Sequence, residues 1–234
     1  MSATNVFTRP INWAAAFKTG DIHPSVQQHL VRVYASLCVC LLVASCTAVF
    51  LPISFPPLIA SLLSIGMLLG MTALPATPTN QPTRFGLLLG FAGVMGCALG
   101  PLVHLVHDEI DPAIVYTALL ATSTLFACFS AAALLARRRS YLYLGGILSA
   151  AISWLLVLSF MQFFFPSEAM QNALLYLGLI IFSGYVVFDT QLIVEKASLG
   201  DGDFLLHSAE LFIDFVGLFV RILILLAKKN KKKD

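Results

Sequence analysis

An all-α membrane protein, a bundle of six or seven transmembrane helices around a polar last segment, is the fold that this sequence predicts. Of the 234 residues, 59% are hydrophobic and 11% are charged, whereas a soluble domain carries about 25% charged residues. The apolar residues gather in runs of the ~20 residues that a membrane-spanning helix needs. The connections between the runs are short and rich in turn-forming residues.

Seven apolar segments follow a mixed, polar stretch at the N-terminus. They run over Val33–Ile53, Pro57–Ala76, Phe85–Val106, Ala113–Ala136, Tyr141–Phe163, Asn172–Val194 and Phe204–Ala227. The polar stretch lacks the apolar region and cleavage site of a secretory signal. We therefore divide the chain into a cytosolic N-terminal segment (1–29), a multi-helix membrane domain (30–227) and a basic cytosolic tail (228–234).

Residues typical of turns separate each segment from the next. In chain order they are Pro52, Pro56 and Pro57; Pro78, Asn80 and Pro82; Pro112; Arg137–Ser140; Pro166; and Gly200 with Gly202. The third segment also carries five glycines on one helical face, at positions 86, 90, 93, 96 and 100. Small residues let helix backbones approach closely, so this segment is expected to pack near the bundle centre.

The distribution of Lys and Arg predicts the orientation, because cytosolic loops are enriched in both residues. The loops with Arg84 and Arg137–Arg139 fall on the same side as a cytosolic N-terminus, and the opposite loops contain no Lys or Arg. Seven full spans would then place the lysine-rich tail on the other side. A last segment that enters and returns would keep the tail cytosolic, and we expect a cytosolic C-terminus on this ground.

Two aspartates deep within the last two segments are the leading functional candidates. Asp189 lies in GYVVFDTQLIV and Asp214 lies in LLHSAELFIDFVGLFVRILILL. A charged side chain at the centre of a membrane helix costs roughly 2.5–3.5 kcal/mol or more, so such residues mark ion or proton sites. A simpler interpretation of Asp189 is that it caps or bonds the end of its helix.

Other polar residues share the helical faces of these aspartates. His207, Glu210, Asp214, Gly217 and Arg221 recur at spacings of 3 and 4, and Gly178, Tyr185, Asp189 and Lys196 share a face of the preceding segment. Consecutive helices usually pack together, which would bring Asp189 toward Asp214. As alternatives, Glu210 and Arg221 form a structural ion pair or extend to the membrane surface, and His207 is solvated.

Two adjacent carboxyl groups would titrate as a pair, and a divalent cation would compete with their shared proton. Calcium prefers 6–8 oxygen ligands, so two carboxylates would bind it only weakly. Weak binding suits a conduit, from which the ion must leave again. We therefore predict a proton site at Asp189 and Asp214 that also binds calcium weakly as a transported ion.

Catalytic chemistry is not expected. Gly200-Asp201-Gly202-Asp203 contains the GxGD of intramembrane aspartyl proteases, but the YD and PAL motifs are missing. The five cysteines lie in apolar runs without zinc-binding spacing. We predict no enzyme, no tightly bound cofactor and no nucleic-acid partner. Lys231 and Lys232 match a cytosolic dilysine retrieval signal, although the tail also suits contact with anionic lipid.

The residues near the C-terminus resemble a known family. The stretch VVFDTQLIVEKASLGDGDFLLHSAELFIDFVGLFVRILILL is similar to the C-terminal hallmark of the Bax inhibitor-1 family. ARRRSYLYLGGILSA and HPSVQQHLVRVYASL resemble its fourth-to-fifth helix junction and its N-terminal entry. The resemblance covers nearly the whole chain and indicates a eukaryotic member of the endoplasmic reticulum membrane.

This resemblance implies a function. Such proteins suppress apoptosis triggered by Bax and by reticulum stress, dampen the unfolded protein response, and are associated with a pH-sensitive calcium leak. The family's paired-aspartate pH sensor corresponds to Asp189 and Asp214. Bacterial relatives also have an arginine in the second helix that pairs with the first aspartate. Segment Pro57–Ala76 has no basic residue, so Lys196 or Arg221 would have to replace it.

Three hypotheses follow. In the first, the protein is a proton-gated calcium leak channel. In the second, it is a regulatory scaffold that acts on Bcl-2-type proteins or stress sensors through its short tail, in which case deleting Lys228–Asp234 abolishes protection and leaves ion flux intact. In the third, it is a proton/calcium exchanger that uses the same residues. Membrane lipids, calcium ions and protons are the partners common to all three.

Overall fold

Seven α-helices make up the part of the chain that the computed structural model describes, which is residues 23–50, 56–136 and 141–231. They are α1 (Pro24–Phe50), α2 (Pro57–Ala73), α3 (Gln81–Glu109), α4 (Pro112–Leu135), α5 (Leu144–Phe164), α6 (Glu168–Ser198) and α7 (Phe204–Lys231). The predicted all-α class is confirmed. Arg137–Arg139, Lys232 and most of the N-terminal segment lie outside the described residues.

The helices support a multi-pass membrane protein. Five of them, α1, α3, α4, α5 and α6, are long and apolar enough to cross a membrane. Helix α2 is equally apolar but has only 17 residues, and α7 has 28 residues but carries several charges. At 1.5 Å per residue α7 is about 42 Å long, which exceeds the ~30 Å of a bilayer's hydrocarbon core.

Several helices extend beyond the apolar runs that predicted them, because polar residues can form their first and last turns. Helix α1 begins at Pro24 and therefore includes His29, and α6 runs from Glu168 to Ser198. Helix α4 shows a sequence-encoded start. The Asp111 carboxylate accepts a hydrogen bond from the Ala113 amide at 2.8 Å, and Pro112 occupies the first helical position.

Helix α7 is the central element of the bundle, as the sequence predicted for the polar last segment. It packs against α1, α3, α4 and α6. Its buried residues include Leu211, Phe212, Leu218 and Leu223, each with no exposed surface. Helix α2 packs mainly on α3, and α5 mainly on α6, so these two helices lie at the edges.

The last helix is continuous from Phe204 to Lys231, whereas the sequence left open whether this segment spans the membrane or re-enters. Where α1 and α7 begin, at what we term the amino-terminal end of the bundle, His29 contacts His207. At the far end, Lys228 Nζ donates to Gln171 Oε1 at 2.6 Å and to Asn172 Oδ1 at 3.1 Å. Within the described residues, the beginning of α1 and the end of α7 therefore lie at opposite ends of the bundle.

The glycine face of α3 forms close helix contacts, as predicted. Gly100 faces the Ala48 carbonyl of α1 and Gly90 faces Met67 of α2. A Cβ on Gly96 would overlap the Ala44 carbonyl of α1. The expected role of this face in helix packing is thus confirmed.

Replacing Gly96 by alanine should destabilise the protein by about 1–3 kcal/mol, because the backbone of α1 cannot yield without moving the helix. Gly86→Ala is the matched control, since a Cβ at Gly86 meets nothing within 4 Å. This control should gain roughly 0.4–1 kcal/mol from reduced backbone freedom in the unfolded state. Unfolding in mild detergent would measure both changes, and equal stabilities would contradict the close α1–α3 contact.

Candidate functional site

Asp189 of α6 and Asp214 of α7 lie side by side, as the sequence predicted. The two helices are consecutive and pack against each other. The two carboxyl groups are close enough to interact directly, and we term them the aspartate pair. Asp214 is only 4% exposed, and Asp189 is partly buried.

A hydrogen bond between the two carboxyl groups would need a shared proton. An ionised carboxylate can only accept hydrogen bonds, so one partner must carry the proton and donate it. Asp214 Oδ2 is buried and has no hydrogen-bond partner in the structure. The aspartate pair is therefore placed to share a proton, and it keeps one carboxyl oxygen available for another ligand.

Glu210 extends the acidic group toward the amino-terminal end of the bundle. Its negative charge acts on both aspartates, and its Oε1 accepts a hydrogen bond from Lys196 Nζ at 3.3 Å. The alternative pairing of Glu210 with Arg221 is therefore wrong. The positive charge of Lys196 also acts on Asp189. Lys196 therefore provides a positive charge beside the aspartate pair.

Arg221 does not join the acidic group. Its guanidinium lies 4.2 Å from the centre of the Phe182 ring and donates a hydrogen bond to the Gly217 carbonyl at 2.8 Å. Gly178 provides the room, because a Cβ there would overlap the Arg221 side chain. Stacking on an aromatic face stabilises a buried cation. Packing therefore holds Arg221 in place, on the side of the aspartate pair toward the far end of the bundle.

His207 is buried rather than solvated. It has no exposed surface, and its Nδ1 lies 2.9 Å from Nε2 of His29 on α1. The structure thus assigns His207 to a contact between the first and last helices and away from the aspartate pair. Lys231 is the last described residue of α7 and takes no part in the site.

An ion pair that the sequence did not predict joins α3 to the loop before α7 at the amino-terminal end of the bundle. Arg84, only 2% exposed, donates from Nη1 and Nη2 to the two carboxylate oxygens of Asp203. Its Nε also donates to the Met71 carbonyl at 3.0 Å. In the sequence, Arg84 indicates only the orientation, and Asp203 belongs to a GxGD that lacks the other motifs of a protease. The available signal was a basic residue at the start of an apolar run, which needs an acidic partner if it becomes buried.

The described residues offer carboxyl oxygens rather than an assembled metal site. They contain no cluster of three or more His, Cys, Asp or Glu side chains arranged to hold a metal ion. The aspartate pair and Glu210 supply oxygen atoms, which calcium prefers. Two of these atoms, Asp214 Oδ2 and Glu210 Oε2, are buried without a partner. The site can therefore exchange a proton and offer oxygen ligands to a cation.

Comparison with known proteins identifies similar chains. The family described as "Inhibitor of apoptosis-promoting Bax1" matches residues 26–231. Bax inhibitor 1 of Bos taurus is 44% identical over 234 residues, which cover 98% of this chain and 99% of the relative. Bax inhibitor 1 of Homo sapiens is 44% identical over 235 residues with the same coverage. Bax inhibitor 1 of Arabidopsis thaliana is 45% identical over 217 residues, 92% of this chain and 86% of the relative.

Proposed function

Because the chain belongs to the Bax inhibitor 1 family, we propose that it is a pH-sensitive calcium leak channel that restrains apoptosis and the unfolded protein response. The observation that carries this proposal is the close approach of the Asp189 and Asp214 carboxyl groups inside the bundle. Ionisable groups at membrane depth are costly and are typical of ion and proton pathways. The family name supports the part of the proposal that concerns cell death.

Competition between protons and calcium provides the mechanism. In the protonated state, the aspartate pair is closed by its own hydrogen bond and offers little negative charge to a cation. Loss of the proton leaves two carboxylates beside Glu210, and a calcium ion from the lumen offsets their repulsion. With few protein ligands, the ion keeps much of its hydration and leaves readily. Proton binding and calcium binding therefore oppose each other by linkage.

We place the protein in the endoplasmic reticulum membrane with the amino-terminal end of the bundle in the cytosol. The membrane assignment rests on the family, and the orientation rests on the positions of Arg84 and Arg137–Arg139 in the sequence. In this orientation the continuous α7 carries Lys231 to the luminal side. Retention then does not depend on a lysine signal that is read in the cytosol.

Regulation of cell death would require protein partners in addition to the calcium ion. From family membership, we propose that Bcl-2-type proteins and stress sensors act with this protein in the membrane. The described tail residues are anchored to the bundle, since Lys228 contacts Gln171 and Asn172. A deletion that tests partner binding should therefore begin after Lys228, so that the bundle keeps this contact.

Calcium movement in proteoliposomes with imposed calcium and proton gradients would distinguish a leak from an exchanger. A leak moves calcium only down its gradient, whatever the proton gradient. We expect downhill flux that depends on pH and no uphill movement when a proton gradient is imposed. Uphill movement would establish a proton/calcium exchanger instead. Absence of any flux above that of protein-free vesicles would contradict both transport mechanisms and leave the regulatory role.

A further inference from the structure

Two buried histidines join the first helix to the last at the amino-terminal end of the bundle. His29 is 9% exposed and His207 has no exposed surface. Their Nε2 and Nδ1 atoms are 2.9 Å apart, and the rings meet edge to face with centroids 5.1 Å apart. In the next turn, the Ser208 hydroxyl donates to the Val33 carbonyl at 3.0 Å. We term His29 and His207 the histidine pair.

One nitrogen of the histidine pair has no partner. His207 Nε2 is buried and makes no hydrogen bond in the structure, although the Asp201 carboxylate lies 3.8 Å away. A buried polar atom without a partner normally costs stability and is rare in native proteins. Asp201 is 44% exposed, so this carboxylate connects the buried nitrogen to the surface of the bundle.

The charged groups around the histidine pair come from every neighbouring element. Asp201 and Asp203 lie in the loop between α6 and α7, Lys196 lies on α6, and Arg32 lies on α1. Arg84 of α3 is paired with Asp203. The two aspartates favour a charged imidazole, and Lys196 and Arg32 oppose it. Neither Asp189 nor Asp214 belongs to this set of charges.

The number of protons on the two imidazole rings determines whether the hydrogen bond between them can form. Each neutral imidazole has one N–H and one acceptor nitrogen, so one ring donates to the other. When His207 Nδ1 accepts from His29, His207 Nε2 carries the second proton and faces Asp201. One additional proton preserves the contact, because an imidazolium still donates to a neutral imidazole. A further proton removes the last acceptor and leaves two cations in contact.

We propose that the histidine pair is a second proton-binding site, separate from the aspartate pair, that holds α1 against α7 and releases it when both rings are charged. The site would sense the pH at the amino-terminal end of the bundle. The proposal goes beyond the calcium leak and holds whether or not the protein conducts calcium. The experiment that tests it measures a distance between helices and not a calcium flux.

Electron–electron distance measurements on a spin-labelled chain in lipid nanodiscs would test this proposal. The labels are placed at Val31→Cys on α1 and Leu199→Cys beside the start of α7, both of which replace exposed side chains. The five native cysteines are replaced by serine. We expect one distance at neutral pH and a second, longer population at pH values below about 5–8, the range in which histidine normally changes charge, because burial and the charge on the first ring oppose the second proton.

Matched variants separate the histidine pair from other titrating groups. His29→Gln with His207→Asn keeps amide groups at the bonding positions without titration, and should show the short distance at every pH. The single variant His29→Gln also removes the doubly charged state and replaces the double variant if that fails to fold. His104→Gln, which alters a 45%-exposed side chain on α3, should keep the acid response.

Two results, one in the parent chain and one in His29→Gln, would overturn the proposal. One is the absence of a longer population in the parent chain at any pH that leaves it folded. The other is an unchanged acid response in His29→Gln. The response should persist in Asp214→Asn, because that substitution leaves the histidine pair intact. Loss of the response in Asp214→Asn would assign the proton to the aspartate pair and would also overturn a separate site.

Discussion

Replacing Asp214 by asparagine should abolish the pH dependence of calcium binding and release. Asparagine is close in shape to a protonated aspartate but cannot ionise, so the aspartate pair cannot reach the doubly ionised state that would bind calcium. In the parent protein, the calcium concentration for half-maximal flux should rise by about tenfold per unit of acidification, if one proton leaves for each calcium bound. In Asp214→Asn this concentration should be high and nearly independent of pH.

Flux from proteoliposomes loaded with a calcium indicator would measure this effect, and Asp189→Asn should behave in the same way. The two substitutions remove members of one hydrogen-bonded unit, so their combined effect should be smaller than the sum of the single effects. Glu168→Gln is the control, because Glu168 is exposed at the start of α6 and should leave the pH response unchanged. A pH response retained in both asparagine variants would eliminate the aspartate pair as the sensor.

The same variants connect ion flux with cell death. If calcium leak is the means of protection, Asp214→Asn should protect cells from Bax-induced death less well than the parent protein at equal abundance. Full protection by this variant, together with a lost pH response, would separate the two activities. The regulatory role would then rest on partner binding.

Replacing Arg84 by methionine should destabilise the protein by about 3–5 kcal/mol, because it leaves the Asp203 carboxylate without its partner in a largely buried position. The Asp203 side chain is only 17% exposed. The Arg84 guanidinium also bonds the Met71 carbonyl, so the substitution loosens the α2–α3 connection as well. For a chain of this size the loss corresponds to a melting temperature lower by roughly 6–20 °C.

Thermal unfolding in detergent would measure the loss, with Arg32→Met as the control because Arg32 is exposed on α1. Adding Asp203→Asn to Arg84→Met should recover part of the stability. The amide removes the unpaired charge and can still accept a hydrogen bond from the Leu206 amide at the start of α7. The role of this ion pair would be contradicted if Arg84→Met were as stable as Arg32→Met.

Much of the candidate site was predictable because it lies on two consecutive helices. The spacing of 3 and 4 residues from His207 to Arg221 places these side chains on one face of α7. Helices joined by a short loop usually pack together, so Asp189 and Asp214 were expected to meet. The partners of Glu210 and Arg221 were not predictable. Several cations and acids share these faces, and only the packing of Arg221 into the space beside Gly178 excludes it from the acidic group.

The sequence by itself determined the all-helical membrane class, the approximate helix positions and the aspartate pair, because these depend on the length of apolar runs and on contacts between neighbouring segments. Only the tertiary structure decided the Arg84–Asp203 ion pair, whose members are 119 residues apart, and the histidine pair, whose members are 178 residues apart. It also decided that α7 is one continuous helix. Each of these features depends on how helices distant in the chain pack in three dimensions, and neither the periodicity of a segment nor its charge specifies that arrangement.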